Sequence, residues 1–249
     1  MSGVRIELDG RVVRITLAKP ERRNAFDAAL ITDLRYAFED VPADARAVVL
    51  AGDGPSFCAG ADVEWQRASI NLGSEDNVED ALRLHRMLVA VDSCPVPVVA
   101  RVQGYALGGG SGLVACSDVA VAASDATFGF TEVRLGIVPA VVSPFVLAKI
   151  GHSGARRFFV TGERFDAKTA RRIGLVHEVV DDLDAAVEHV VGEILQAGPE
   201  ATRAAKKLAH EAPTNGEQLA RLAAIRRTSD EGQEGLVAFL EHRKPNWLD

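Results

Sequence analysis

The stretch GYALGGGSGLVAC, Gly104 to Cys116, decides the fold, because five glycines and a serine are followed by an apolar tail that can continue as a helix. Its spacing fits none of three familiar glycine-rich motifs. A dinucleotide fingerprint built on Gly108 and Gly110 needs glycine at position 113, which is leucine, and a phosphate loop needs lysine after its last glycine. A nucleophile elbow around Ser111 also needs glycine at 113. The pattern favours a loop that works through its backbone.

Composition predicts an ordinary globular protein. The chain has 249 residues, of which 47% are hydrophobic and 25% charged, enough for one domain or a domain with an extension. The start MSGVRIELDG lacks a basic segment followed by an apolar run, and no window reaches the ~18 apolar residues of a membrane span. We therefore expect a cytoplasmic protein without a membrane partner. A net charge of -7 argues against nucleic-acid binding but still permits a local basic patch for an anionic ligand.

Cysteine and histidine spacing predicts neither a disulfide framework nor a metal site. Cys58, Cys94 and Cys116 are odd in number and have no paired spacing, so we interpret them as small buried side chains. His85 and His177 lack a cysteine or second histidine at ligand spacing. The sequence therefore predicts no metal.

Hydrophobic patterning predicts repeated strand–helix units followed by a helical region. VRIELDGRVVRITL reads as a hairpin that turns at Asp9-Gly10, and ARAVVLAG, VPVVARVQG and DVAVAA read as buried strands. The short segment VHEVV is strand-like. Helices are predicted over residues 28–38, 78–91, 110–116, 142–150, 155–160, 167–173, 183–195 and 199–209. The fold class is α/β, and we place a soft boundary between a core of 1–190 and a helical region of 191–249.

Two loops of small residues each follow a buried strand and precede a helix. Gly108 to Gly110 lie at a helix N-terminus, where peptide dipoles favour negative charge. The second loop, SFCAGADV, spans Ser56 to Val63 and follows AVVLAG. If the two loops lie side by side, one amide from each can hold an oxygen that becomes negative, as in an oxyanion hole. The alternative is that these glycines only let a helix pack against a strand.

Four segments together resemble one protein family over nearly the whole chain. They are KPERRNAF, SFCAGADV, VQGYALGGGSGLVACSDVAVAASDATFGFTEVRLGIVP and GLVHEVV. In this order they resemble the crotonase superfamily, the enoyl-CoA hydratases and isomerases. The resemblance implies a spiral of ββα units with a C-terminal helical region, and a homotrimer or homohexamer. It also implies an acyl-CoA thioester substrate, so that coenzyme A arrives with the substrate and no separate cofactor is expected.

The resemblance assigns roles to particular residues. The amides of Ala61 and Gly109 would hold the thioester oxygen, and Glu132 in FGFTEVRLG would move protons beside an apolar, aromatic environment. Asp62 is also predicted to cap the helix that follows it. The substrate-binding residues expected from the matched segments are Arg23, Ala25, Ala59, Asp62, Trp65, Gly108, Gly112, Phe130 and Lys244. Arg67 or Arg134 is a candidate partner for an additional carboxylate on the substrate.

One departure leaves the reaction open. Two-glutamate hydratases of this family carry a second glutamate three residues after the oxyanion-hole glycine, and that position here is Gly112. Either Glu132 handles both the water and the α-proton, or another residue supplies the missing contact, or the reaction is a one-base isomerisation. A noncatalytic acyl-CoA-binding member is a third class. The motifs look most similar to the methylglutaconyl-CoA and carboxygeranoyl-CoA hydratases, so the sequence favours a hydratase.

Overall fold

The computed structural model describes residues 3–248, which form nine strands and ten α-helices. The strands are β1 (Val4–Asp9), β2 (Val12–Leu17), β3 (Ala47–Gly52), β4 (Val98–Val102), β5 (Tyr105–Leu107), β6 (Val119–Ala123), β7 (Thr127–Gly129), β8 (Arg164–Asp166) and β9 (Glu178–Val180). The helices are α1 (Ala28–Glu39), α2 (Val63–Ser69), α3 (Ser74–Asp92), α4 (Gly109–Cys116), α5 (Ser143–Thr161), α6 (Ala167–Arg172), α7 (Leu183–Gln196), α8 (Pro199–Glu211), α9 (Gly216–Thr228) and α10 (Asp230–Leu240).

Two sheets organise the core. A six-stranded sheet has the order β1-β2-β3-β4-β6-β9, and its pairs are parallel except for the β1–β2 hairpin. A three-stranded sheet has the order β5-β7-β8. Twice along the chain a longer strand of the large sheet is followed by a short strand of the small sheet, because β5 follows β4 and β7 follows β6. This is the repeated arrangement that the sequence predicts.

The hairpin turn lies one residue beyond its predicted place. Asp9 still belongs to β1 and pairs with Val12, so Gly10 and Arg11 form the two-residue loop. Gly10 has a φ of +59°, a left-handed conformation that glycine adopts without the steric cost of a β-carbon. The prediction placed glycine at the second turn position, whereas the strand register puts it at the first.

Both faces of the large sheet are covered, which explains the continuous apolar runs in its strands. Along β3, Val48 and Leu50 belong to the main core beside α1 and α3, whereas Val49 faces the other side of the sheet. That second side is covered by α7. Its core consists of Val12, Val49, Val99, Val121, Leu183, Val187 and Val191.

The C-terminal helices bury little within one chain. Ala238 is the one buried apolar residue that α8, α9 and α10 contribute in the part of the chain that the structure describes. Phe239 and Leu240 are 76% and 73% exposed at the end of α10. Position 190, where the sequence suggested a boundary, lies within α7, and the division into two regions stays a prediction. Within residues 3–248, no helix combines the length and apolar character needed to cross a membrane.

Candidate active site

The two small-residue loops lie against each other. The Cys58 N–H donates to the Tyr105 carbonyl at 2.9 Å, and the Leu107 N–H donates to the Cys58 carbonyl at 3.0 Å. Glycine permits this approach, because a β-carbon on Gly110 would overlap the Cys58 carbonyl oxygen, and one on Gly60 would lie 2.9 Å from the Leu107 carbonyl oxygen. The main chains of the loop before α2 and the loop before α4 are therefore in direct contact, as the oxyanion-hole hypothesis requires.

The amides of Ala61 and Gly109 are free at this junction. Gly109 is the first residue of α4, and Ala61 pairs with Phe26 in a short parallel bridge. Within residues 3–248, neither main-chain N–H donates a hydrogen bond. Buried or half-buried main-chain donors normally have partners, so two unpaired ones in adjacent loops indicate a place for an external acceptor.

Both residues line one cavity of about 410 Å³. Its wall includes Glu132 and a group of apolar side chains from α3 and from the segment after Glu132. Polar groups line another part of it. The apolar side chains are Phe26, Leu84, Leu107, Leu135, Ile137, Val138, Pro139, Val141 and Val142, and the polar ones are Gln66, Ser69, Asn77, Asp80, Thr131 and Arg164, with the Trp65 ring beside them.

Glu132 begins a 3-10 turn that follows β7, and it stands beside the glycine loop. Its Oε1 would lie 3.3 Å from a β-carbon on Gly108, and its Oε2 is buried without a hydrogen-bond partner. Burial raises the pKa of the Glu132 carboxyl, and a contact with its own main-chain N–H partly offsets this rise. A carboxyl with a raised pKa and an unpartnered oxygen can hold a proton and exchange it with a bound ligand.

The aromatic residues before Glu132 belong to the core rather than to the cavity wall. Phe128 and Phe130 are fully buried. The Phe130 ring packs edge-on against Phe159 at 5.2 Å and lies 6.3 Å from Phe165. Phe130 therefore supports the segment that carries Glu132, and it is not among the residues that line the cavity.

Gly112 is buried behind the glycine loop. A β-carbon at this position would lie 2.6 Å from Val142 Cγ1 and 3.6 Å from Leu88 Cδ2. The space that a longer side chain would enter is therefore filled by Val142. Gly112 does not line the cavity, so α4 contributes its N-terminal backbone to the cavity and no carboxylate.

Asp62 caps α2, as its position in the sequence predicts. Its Oδ1 accepts from the N–H groups of Glu64 at 2.9 Å and Trp65 at 3.2 Å, and its Oδ2 accepts from Arg22 at 3.0 Å. These contacts lower the pKa of Asp62 against the effect of burial. Asp62 does not line the cavity, whereas the neighbouring Ala59, Ala61 and Trp65 do.

The residues expected near coenzyme A lie outside the cavity wall. Arg23 adopts a left-handed conformation with a φ of +52°, its carbonyl accepts from the Ala59 N–H, and its guanidinium lies 5.5 Å from the centre of the Tyr105 ring. Ala25 is buried. Lys244 is exposed near the C-terminus, and its carbonyl accepts from Arg243. Their roles stay predictions.

A cation that was not predicted from the sequence reaches the cavity. Arg164 in β8 lines the cavity and also lies 5.6 Å from the Tyr105 ring. Arg67 instead pairs with Glu64 at 2.9 Å, and Arg134 is exposed outside the cavity wall. No local pattern in RFD marks Arg164, because β8 reaches the site only through its pairing with β7.

Asp80 is a second missed residue. It lies on α3 with Asn77, Ala81 and Leu84, and all four line the cavity. Asp80, Ala81 and Leu84 follow Asn77 by three, four and seven residues, which places all four on one face of the helix. An amide and a carboxylate on the same helix face as two apolar residues is the sequence signal that could have identified them.

Comparisons with known proteins identify the family of the chain. The family model described as enoyl-CoA hydratase/isomerase matches residues 7–249. A putative enoyl-CoA hydratase of Thermus thermophilus is 36% identical over 96% of this chain and 98% of its own length. A probable enoyl-CoA hydratase of Rhodobacter capsulatus is also 36% identical, over 98% of this chain and 97% of its own.

Solved structures give the same result for the fold. A putative enoyl-CoA hydratase/isomerase (crotonase) of Legionella pneumophila superposes with a TM-score of 0.94 at 38% identity, covering 99% of both chains. AtuE of Pseudomonas aeruginosa superposes with a TM-score of 0.94 at 37% identity over 99% of this chain and 100% of its own. The predicted crotonase fold is confirmed, and the chain belongs to the enoyl-CoA hydratase/isomerase family as an enoyl-CoA hydratase, a lyase whose substrate is an acyl-CoA thioester.

Proposed function

We propose that the protein adds water across the 2,3 double bond of an enoyl-CoA thioester through an enolate held by the amides of Ala61 and Gly109. As the water oxygen bonds to C3 and the water gives up a proton, the π electrons of the double bond move onto the thioester oxygen. C2 then takes a proton from Glu132, and the proton released by the water restores the Glu132 carboxyl. Two backbone donors stabilise the negative oxygen without giving up a proton, and one such donor contributes about 3 kcal/mol to barrier lowering.

One observation carries this proposal. The N–H groups of Ala61 and Gly109 have no acceptor within residues 3–248, and both residues line the cavity that Glu132 also lines. The unpartnered, buried Oε2 of Glu132 adds support, because a group that exchanges a proton with substrate carbon needs an oxygen that is not already hydrogen-bonded.

The acyl group is proposed to be branched or to resemble methylglutaconyl. Arg164 supports a substrate with an additional carboxylate, because its guanidinium can bind a carboxylate and it lies on a cavity wall whose other side chains are largely apolar. A cyclic acyl group is the second candidate, since a relative from Thauera aromatica that is 32% identical is named cyclohexa-1,5-dienecarbonyl-CoA hydratase.

Because position 112 is glycine, one other reaction and one noncatalytic role stay as alternatives. With a single carboxylate at Glu132, the same site can shift a double bond by moving one proton between carbons. A noncatalytic member would bind the thioester and leave it unchanged. Both alternatives retain the oxyanion hole, so turnover rather than binding separates them.

Assays with four thioesters test the proposal. The purified protein is incubated with crotonyl-CoA, methylglutaconyl-CoA, cyclohexa-1,5-dienecarbonyl-CoA and a 3-enoyl-CoA, and the absorbance of the conjugated thioester is followed. We expect loss of absorbance with a conjugated substrate and formation of a 3-hydroxyacyl-CoA by mass spectrometry. Absorbance gained from the 3-enoyl-CoA, with no hydration of the others, would instead support the isomerase. Binding of all four without turnover would support the noncatalytic alternative.

We further propose that the protein is a homotrimer, or a hexamer of two trimers, assembled through its C-terminal helices. The exposed Phe239 and Leu240 support this, because large apolar side chains grouped at a helix end are typical of an interface. Light scattering after size exclusion is expected to give three or six times the chain mass of 26.5 kDa. The double variant Phe239→Asp/Leu240→Asp is expected to lower that mass, and a wild-type mass of one chain would contradict the proposal.

A further inference from the structure

Asp80 is a half-buried carboxylate in the same cavity as Glu132. It lies one turn after Asn77 on α3, and its side chain is 16% exposed although residues 74–79 before it are all exposed. Asp and Glu side chains are mostly exposed in proteins unless they are paired. Asp80 is paired with Arg83, and it also lines the cavity that contains Glu132.

Two neighbours favour the charged form of the Asp80 carboxylate. The Arg83 guanidinium donates to Oδ1 at 3.0 Å from the next helical turn, and the Trp65 indole contacts the carboxylate from α2. Burial outweighs both and raises the pKa of Asp80 above the ordinary value. Asp80 is therefore a stronger base than a surface aspartate. Arg83 and Trp65 favour its deprotonated form, which is the form that can accept a proton.

Hydration is easier when one group takes a proton from the attacking water while another gives a proton to C2. The attacking water must lose a proton as its oxygen bonds to C3, while C2 must gain one. Glu132 is a single carboxyl, and position 112 offers neither a carboxylate nor room for one beside Val142. Within residues 3–248, Asp80 is the one acidic residue besides Glu132 that lines the cavity.

We propose that Asp80 is the second acid–base residue of the site and binds the attacking water, an inference that rests on the hydratase function proposed above. Asp80 accepts a proton from the water as the oxygen bonds to C3, and Glu132 gives its proton to C2 of the enolate. One water is consumed, both C–O and C–H bonds form, and the proton on Asp80 returns to Glu132 through solvent before the next turnover.

The division of labour between the two carboxylates gives the test. Exchange of an α-proton of butyryl-CoA with deuterated solvent needs Glu132 and the oxyanion hole but no attack by water at C3. The variants Asp80→Asn and Glu132→Gln are each assayed for crotonyl-CoA hydration and, by NMR, for this exchange. Asp76→Asn, one turn earlier on the exposed face of α3, is the matched control, and circular dichroism checks that each variant is folded.

For Asp80→Asn we expect hydration to fall about 100-fold or more, as for the loss of a general base, while α-proton exchange stays near the wild-type rate. Glu132→Gln should lose both reactions, and Asp76→Asn neither. Unchanged hydration in Asp80→Asn would overturn the inference while leaving the proposed function intact. An equal loss of hydration and exchange would also overturn it, because that pattern means that Asp80 only supports Trp65 and the cavity wall. Failure of the wild type to hydrate any thioester would remove the proposed function itself.

Discussion

Replacing Glu132 by glutamine is expected to lower kcat for hydration by about 10³-fold, the usual range for loss of a general acid–base group. Glutamine keeps nearly the same shape and can still donate a hydrogen bond, but it cannot transfer a proton to C2. Initial rates with the thioester that the wild type hydrates fastest measure the change. We expect KM to change little, because the cavity wall and the two free amides are preserved.

The pH dependence of the stability of Glu132→Gln is the control for this loss of activity. Burial raises the pKa of Glu132 above its ordinary value of 4.5, so the folded protein binds this proton more tightly than the unfolded chain. Below the ordinary value both states are protonated, and Glu132→Gln should melt close to the wild type. As the pH rises through the raised pKa, the wild type must bury a charge and loses stability that the variant keeps.

A Tm advantage of Glu132→Gln that grows with pH is therefore expected, together with the loss of activity. Thermal melts across this pH range measure it. A variant that retains wild-type hydration would exclude Glu132 from the mechanism. A variant whose Tm falls with pH in parallel with the wild type would show that the carboxyl is not buried in its charged form.

Replacing Gly109 by alanine is expected to lower kcat by about 10² to 10³-fold, the usual cost of losing one oxyanion-hole donor. The added β-carbon would lie 2.7 Å from Phe26 Cε2 and 3.0 Å from Cδ2. Phe26 cannot withdraw easily, because its N–H donates to the Gly60 carbonyl and its own carbonyl accepts from the Asp62 N–H. The loop must shift instead, and the Gly109 amide moves with it.

Gly216→Ala is the matched control for this substitution. Gly216 is also the first residue of a helix, α9, but a β-carbon there meets no atom within 4 Å. We expect full activity and unchanged or higher stability from this variant. The double variant Gly109→Ala/Phe26→Leu should regain part of the lost activity, because leucine removes the ring atoms that collide. Wild-type kcat in Gly109→Ala would show that this amide does not hold the thioester oxygen.

Local sequence carried enough information to predict the two small-residue loops that the structure brings into contact. Each loop combines small residues, a preceding buried strand and a following helix, and these features are all local. The helix cap at Asp62 was predictable for the same reason, since a cap involves residues within one helical turn. The predicted position of the hairpin turn was wrong by one residue. The strand register that makes Gly10 the first loop residue depends on pairing along both strands.

The sequence by itself determined the family, the two loops and Glu132, because short motifs carry them. The tertiary structure alone decided which side chains complete the cavity. Asp80 reaches it from α3, which lies between the two loops in the chain, and Arg164 reaches it from β8, which comes well after both loops. It also decided that Val142 fills the space beside Gly112. The physical reason is that a backbone amide is positioned by its own loop, whereas a cavity wall is formed by packing between segments that no local pattern connects.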